Sequence, residues 1–403
     1  MLKLALRNVF RHKLRTAMTL AVILFGVAGL ILSGGFVQDI YHQLGEALIH
    51  SQSGHLQVSL AGFHAKGTRT PENYVMAEPE TVRQTLLKQP GVADVMARIN
   101  FSGLINNGRS DWAIVGEGVE PEREANLGTL LKITAGRQLL PSDSYGIMLG
   151  EGVAHAMKLR PGDRATLLLN TAGGALNTLE FTVVGTFESF SKDFDARAVR
   201  IPLAAAYELL GTPGANALVV SLNRTEDTAG VADSIRSSID PKRFEVNTWM
   251  ELNDFYASTV ALYQRQFGVL QLIILVLVLL SVANSVNMSA MERTGEFGTM
   301  LALGNRGRDV FQLLTLENVL LGSFGGLLGV AIGLLCAVII SAIGIPMPPP
   351  PNTNISYVGH IRIVPGIVLL SFLVGFTGTV LASLLPAWRV SRVKIVDALR
   401  QNI

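Results

Sequence analysis

Hydrophobic and polar positions alternate along this chain on two scales. On the long scale, four stretches are almost free of charge: residues 17–37, 267–290, 317–345 and 363–388. Glu317 opens the third, which is uncharged thereafter. Each is long enough for the roughly 20 residues that a helix needs to cross a bilayer. These stretches predict four transmembrane helices. A cleaved signal peptide is the alternative for the first, but signal h-regions run about 7–15 residues and end at a small-residue site. Here the run is longer, and Ser33-Gly34-Gly35-Phe36 offers no A-x-A pattern, so a retained anchor is expected.

On the short scale, residues 38–265 read as a mixed domain. Alternating or branched apolar residues predict strands at 55–60, 113–115, 165–169, 181–184 and 218–222. Helical patterning covers 79–88, 150–157, 203–210 and 228–239, the first with Glu78 and Glu80 at its start. Pro161-Gly162-Asp163 and Asn106-Asn107-Gly108 are turn signatures, and Thr171–Asn177 reads as a hairpin tip. The expected fold class is a polytopic α-helical membrane protein carrying a large α+β extracytoplasmic domain between spans one and two. That domain is expected to form two subdomains, the middle inserted between the flanks. Residues 248–266 contain no Gly or Pro and predict a helical stalk running into the second span.

Charge orients the spans. Lys3, Arg7, Arg11, Lys13 and Arg15 precede the first; Arg293, Arg306 and Arg308 follow the second; Arg389, Arg392, Lys394 and Arg400 follow the fourth. The hairpin of 346–362 carries only Arg362. The positive-inside rule places segments 1–16, 291–316 and 389–403, hence both termini, in the cytoplasm and 38–265 with 346–362 outside. The net charge of +2 hides this asymmetry: 38–265 holds 20 basic and 26 acidic residues, the rest 13 and 5. Basic residues that hug span ends anchor in lipid headgroups, so a nucleic-acid partner is not expected. The proline run from Pro346 to Pro351 suggests a rigid cap on the outer hairpin.

Enzyme chemistry finds no foothold. The sequence holds no G-x-x-x-x-G-K-[ST], no G-x-S-x-G and no H-E-x-x-H, and its one cysteine, Cys336, cannot pair within the chain. Gly116-Glu117-Gly118 lacks the third glycine of a dinucleotide fingerprint. His50 and His55 are too little for a metal site, and no metal or cofactor is expected on the chain. Asp193 and Asp195 read as a solvated loop. Glu317, at the cytoplasmic end of the third span, is read as an interfacial residue near Arg306 or Arg308. Gly322, Gly325, Gly326, Gly329 and Gly333 recur at three- and four-residue spacing. They predict close helix packing, within the chain or across a dimer.

The segment from Met291 to Gly329 resembles the FtsX-like permease domain of ABC transporters. Arg293, Glu296, Gly298, Ala302, Leu303 and Gly304 occupy the positions of that family's R-x-x-E-x-G-x-x-x-A-L-G stretch. Pro386–Arg400 resembles its C-terminal ending, with Ile395 where proline is common. Gly146–Leu167 and Phe181–Ser189 resemble MacB-like periplasmic domains, and LALRNVFRHKLRTAMT resembles the family's N-terminus. The likeness spans the whole chain and is to type VII ABC permeases, with a layout nearest the LolC/LolE-type lipoprotein-release permeases, which lack a fused ATPase.

That resemblance implies a non-catalytic, mechanotransmission-type permease subunit in the cell inner membrane. Two copies of a separate ABC ATPase would hydrolyse ATP with magnesium, and a second permease chain would complete a homodimer or heterodimer. Glu292, Arg293, Glu296, Gly298, Leu301, Ala302, Gly304 and Arg306 are implied as the ATPase-coupling element. The implied work is extraction or export of a lipidated or amphipathic substrate, with membrane lipid and a lipoprotein or periplasmic protein as partners. The alternative is a regulatory device that passes ATPase motion to a cell-wall hydrolase or sensor outside.

Overall fold

The computed structural model describes residues 2–392 apart from 12, 68–69, 172 and 350–355. Most of the tail of 389–403, and Pro350 and Pro351 of the proline run, lie outside the described residues. The chain divides into two compact units. One holds residues 1–41, 259–347 and 358–403, the other 42–258 and 348–357.

Along the chain, α1 (Leu2–Arg11) precedes α2 (Lys13–Leu48), which ends in a π-helical turn, Ile49–Ser53. Then come β1 (Leu56–Leu60), α3 (Pro79–Leu87), β2 (Val92–Asn106), β3 (Asp111–Val119), α4 (Pro121–Leu127) and β4 (Lys132–Gly136). They are followed by β5 (Gly146–Gly150), α5 (Glu151–Met157), β6 (Arg164–Asn170), β7 (Leu176–Glu188) and α6 (Lys192–Asp195). Next are β8 (Ala198–Pro202), α7 (Leu203–Leu210), β9 (Ala217–Leu222), α8 (Thr228–Ser238), β10 (Phe244–Thr248) and α9 (Trp249–Leu252). The last long elements are α10 (Asp254–Glu292), α11 (Thr294–Ala302), α12 (Gly307–Ile343) and α13 (Pro365–Val390).

Among the described residues, four helices are long and apolar enough to cross a membrane, over Thr16–Ser53, Tyr256–Ser289, Gly307–Ile343 and Pro365–Val390. The helix of the third apolar stretch starts at Gly307, ten residues before that stretch. Arg306 N donates to the Asp309 carboxylate at 2.8 Å, and this satisfies the helix start. Glycines of α12 seat the first and fourth spans directly. A Cβ on Gly329 would lie 2.8 Å from Val27 Cβ and 3.0 Å from Leu24 O, and one on Gly325 would lie 3.0 Å from Ile23. Gly333 faces Ala28, whereas Gly322 and Gly326 face Thr379 and Phe372 of α13. Lipid gives helices no hydrophobic reason to associate, so close backbone approach must supply the contact.

In the inter-span domain, ten strands form one mixed sheet in the order β10-β1-β9-β2-β3-β8-β5-β7-β4, with β6 paired to β2 and β7. The β3–β8 and β5–β7 pairs are parallel, the others antiparallel. Alternation decides the burial: in β6, Ala165, Leu167 and Leu169 point into the core and their neighbours do not. The flanking segments contribute one core around Leu56, Leu86, Val220 and Ile235. The middle contributes another around Phe101, Ile147, Phe181 and Leu209. Asn106-Asn107-Gly108 turns β2 into β3, with Gly108 at φ +82° and the Asn107 side chain accepting from Arg109 N and Ser110 N.

Two expectations need correcting. The stalk of 248–266 is not one helix: α9 ends at Leu252 and α10 starts at Asp254, with Asn253 between them at φ −121°, ψ 80°. Thr248 and Glu251 close a capping box that exhausts itself on one turn, and the Asn253 side chain donates back to Trp249 O at 2.6 Å. Asp195 is not solvated: it is buried, and each of its carboxylate oxygens accepts from Ser189 N at 3.0 Å. Burial pushes its pKa up to about 6 against the pull of those hydrogen bonds. His50 and His55 meet edge to face at 5.6 Å. His50 Nδ1 lies 3.1 Å from Leu127 O, and His55 Nδ1 accepts from Leu222 N at 3.2 Å. Burial, with His50 alongside, pulls His55 down to about 4, so the ring is neutral.

Candidate coupling site

The short helix α11 lies between two spans, and its sequence explains both its ends. Gly304 sits at φ +94° and ends the helix: its N–H donates to Leu301 O at 3.1 Å while Asn305 N donates to Met300 O at 3.1 Å. That pair of bonds is a Schellman cap, whose left-handed position favours glycine. Its other end is held by Arg293, the residue before the helix. Arg293 is buried, and its guanidinium reaches Glu317 on α12 twice, at 2.7 and 3.2 Å, and Glu296 at 3.1 Å. Asn8 of α1 donates to Glu317 Oε1 at 2.7 Å, and Arg11 to Glu296 at 3.2 Å. Burial opposes the charge on Arg293, but the bonds and charges of Glu317 and then Glu296 outweigh it and hold the group protonated.

Glu317 therefore pairs with Arg293, not with Arg306 or Arg308. A chain turn brings residues 24 apart together, which proximity in sequence could not show. Packing completes the mount: Phe297 of α11 is buried against Val310, Leu314 and Ala387, with Leu301 partly covered beside them. The Arg293 guanidinium also stacks over the Phe297 ring, 5.0 Å from its centroid.

The eight residues read as the coupling element thus divide. Arg293 and Gly298 are buried, and Leu301 is half-buried. Glu292, Glu296, Ala302, Gly304 and Arg306 are exposed. Two large apolar side chains stand out of this surface, Leu303 at 79% exposure and Met291 at 75%. Asn8, Arg11 and Phe297 were not read as part of this site, Arg11 having been taken only as a topology signal, although the N-terminal L-R-N-V-F-R stretch carries two of them.

A family model of the MacB-like periplasmic core domain matches residues 16–238, more than half of the chain. One of the FtsX-like permease C-terminal domain matches residues 268–395. The chain belongs to the MacB- and FtsX-like family of ABC transporter permeases. The permease is 26% identical to a macrolide export ATP-binding/permease protein, MacB, of Rhodospirillum rubrum, over 99% of its own length. It spans 60% of the length of that relative. To the lipoprotein-releasing system transmembrane protein LolC of Xylella fastidiosa it is 22% identical, covering 98% of this chain and 95% of LolC. The periplasmic region of MacB from Actinobacillus actinomycetemcomitans aligns with 53% of the permease and 94% of its own chain, at 16% identity and a TM-score of 0.37.

Proposed function

We propose that the permease is the membrane subunit of a mechanotransmission-type ABC transporter and that α11 is where a separate ATPase docks. It works as a homodimer or heterodimer with two ATPase copies in the inner membrane. Both termini and α11 face the cytoplasm, and the inter-span domain faces out. The ATPase, not this chain, uses ATP and magnesium. The observation that carries this reading is the mounting of α11. A short helix fixed at its start by a buried bidentate ion pair, and along its length by Phe297, passes a push on Leu303 at its end directly to α12 and, through Asn8 and Arg11, to α1.

The substrate class rests on a second feature of the same unit. Between α2 and α10 lies an open groove lined by Leu14, Met18, Val22 and Met288, with Lys13, Asn284 and Glu292 among its polar residues. An apolar wall beside polar and charged side chains of both signs suits a lipidated or amphipathic molecule.

The test is co-purification of the full-length permease from its native membranes. A stoichiometric ABC ATPase is expected, and Leu303→Asp should abolish its retention while leaving the permease inserted, because the Leu303 side chain is 79% exposed. Glu296→Lys should weaken retention similarly. Normal ATPase retention in both variants would sink the docking assignment. A cell-wall hydrolase recovered in place of an ATPase would favour the regulatory alternative.

A further inference from the structure

The inter-span domain encloses a charged quartet that the docking of α11 leaves unexplained. Arg98 on β2, Glu117 on β3, Glu124 on α4 and Arg200 on β8 are all buried. Arg200 Nε donates to Glu117 at 2.8 Å, and its Nη1 lies 3.3 Å from Glu124. Arg98 reaches Glu124 at 2.5 and 3.3 Å and lies 3.6 Å from Glu117. Two positive and two negative groups balance. Stability alone does not call for them, since apolar residues of similar volume serve a core as well or better.

The quartet does something apolar residues could not. Each arginine has an N–H left over, and each aims it at a backbone carbonyl. Arg200 Nη2 donates to Ser51 O at 3.1 Å, and Arg98 Nη1 donates to Gln52 O. Those carbonyls belong to the π turn that ends the first-span helix. The last carbonyls of a helix lack partners within it and form its negative end, so cations belong there. The chain then leaves the helix at Gly54, φ +67°, where a Cβ would meet Val219 at 2.3 Å. Further back on the same helix, a Cβ at Gly45 would meet the Trp249 ring at 2.7 Å, and Glu46 accepts from Thr225 Oγ1 at 2.6 Å. The other connection, through Asn253, is a break between two helices.

We propose that the Arg98–Glu117–Glu124–Arg200 quartet is a clamp that joins the sheet to the end of the first-span helix. Its arginines are positioning residues for the transport cycle. The inference rests on the mechanotransmission reading above.

Arginine's planar fork can bond a carboxylate and a carbonyl together, and lysine keeps the charge without the fork. In the assembled transporter, Arg98→Lys/Arg200→Lys should therefore lower ATP-driven transport about tenfold, the scale of a lost charge-assisted hydrogen bond. ATPase retention and ATP hydrolysis should persist. Amides of residues 49–55 should exchange with solvent faster. Asn253→Ala removes one side-chain bond, to Trp249 O, at a break that the Trp249 and Tyr256 rings still bridge edge to face at 4.6 Å, and should leave transport within about twofold. Should the lysine pair fail to fold, Arg98→Met/Glu117→Leu/Glu124→Leu/Arg200→Met leaves no unpaired charge and carries the same expectation. Wild-type transport in the clamp variants, or loss of transport in Asn253→Ala alone, overturns the clamp. If the wild-type permease neither holds an ATPase nor transports, the functional reading fails instead. Amide exchange then still decides the clamp, and unchanged protection at 49–55 refutes it.

Discussion

Both units of the permease bury arginine–glutamate clusters, and the two clusters solve different problems. In the membrane unit, Arg293 and Glu317 are buried, but the network runs on through Glu296 to Arg11, which are exposed. Inside to outside, it fixes one short helix to two others. In the inter-span domain all four charges of the quartet are buried, and its arginines spend their spare donors on helix-end carbonyls. The packing around the clusters differs in kind as well. Glycines bring the spans together backbone to backbone, whereas the sheet is filled by Leu, Ile, Val and Phe side chains. The lesson is that burial alone does not give a charge its role; what its leftover donors touch does.

The largest effect should come from leaving one partner of the membrane cluster alone. Arg293→Ala strands Glu317 in a buried site, and breaking such a pair costs about 3–5 kcal/mol. A large fall in the melting temperature of the detergent-solubilised permease is expected. Arg293→Met/Glu317→Leu should recover most of it, because neither charge is then orphaned. A double variant no more stable than Arg293→Ala would show that the pair's worth lies elsewhere.

Next come the glycines. Gly329→Val drives a side chain into Val27 and the Leu24 carbonyl, and overpacking of this kind costs about 1–3 kcal/mol. Gly304→Ala meets no atom within 4 Å and should lose only about 1 kcal/mol, from its left-handed backbone. Equal losses in unfolding measurements on the two variants would contradict the contrast between a packing glycine and a capping one.

The smallest net effect is the pH response of the inter-span domain, because its two shifted groups oppose each other. His55, lowered to about 4, is neutral when folded, so its contribution is present above its unfolded value, about 6.5, and is lost as pH falls to 4. Asp195, raised to about 6, acts oppositely: its contribution is present below its unfolded value, about 3.9, and is lost as pH rises to 6. The two oppose each other between about pH 4 and 6. In a pH series of melting temperatures, His55→Gln should become less stable with rising pH in that window relative to the parent. Asp195→Asn should become more stable. Parallel profiles for parent and variants would refute both assignments.

Much of the membrane unit was legible because its signal is one of length and charge: 20 or more apolar residues leave a bilayer span as the only economical reading. The α11 cap was not read, because Gly304 entered only as a position of the family motif, although a glycine after an apolar stretch is the usual mark of a helix end. Nor was the partner of Glu317 legible. Arg306 and Arg308 lie nearer to it in sequence than Arg293 does, and the packing of Phe297 against α12 and α13 is what turns Arg293 inward. The break at Asn253 escaped because it needs neither Gly nor Pro, only a capping box satisfied within one turn.

By itself the sequence determined the number of spans, the place of the large domain between the first and second, and the family. Each of these follows from patterns that act locally: hydrophobic length, alternation and motif order. Tertiary structure alone decided which charges meet. Arg98, Glu117, Glu124 and Arg200 lie on four elements spread over 103 residues, and the two carbonyls they hold belong to a fifth. No spacing rule joins them. A buried charge takes whichever partner the fold brings within about 3 Å, because leaving it unpaired in a low-dielectric interior costs more than any local preference.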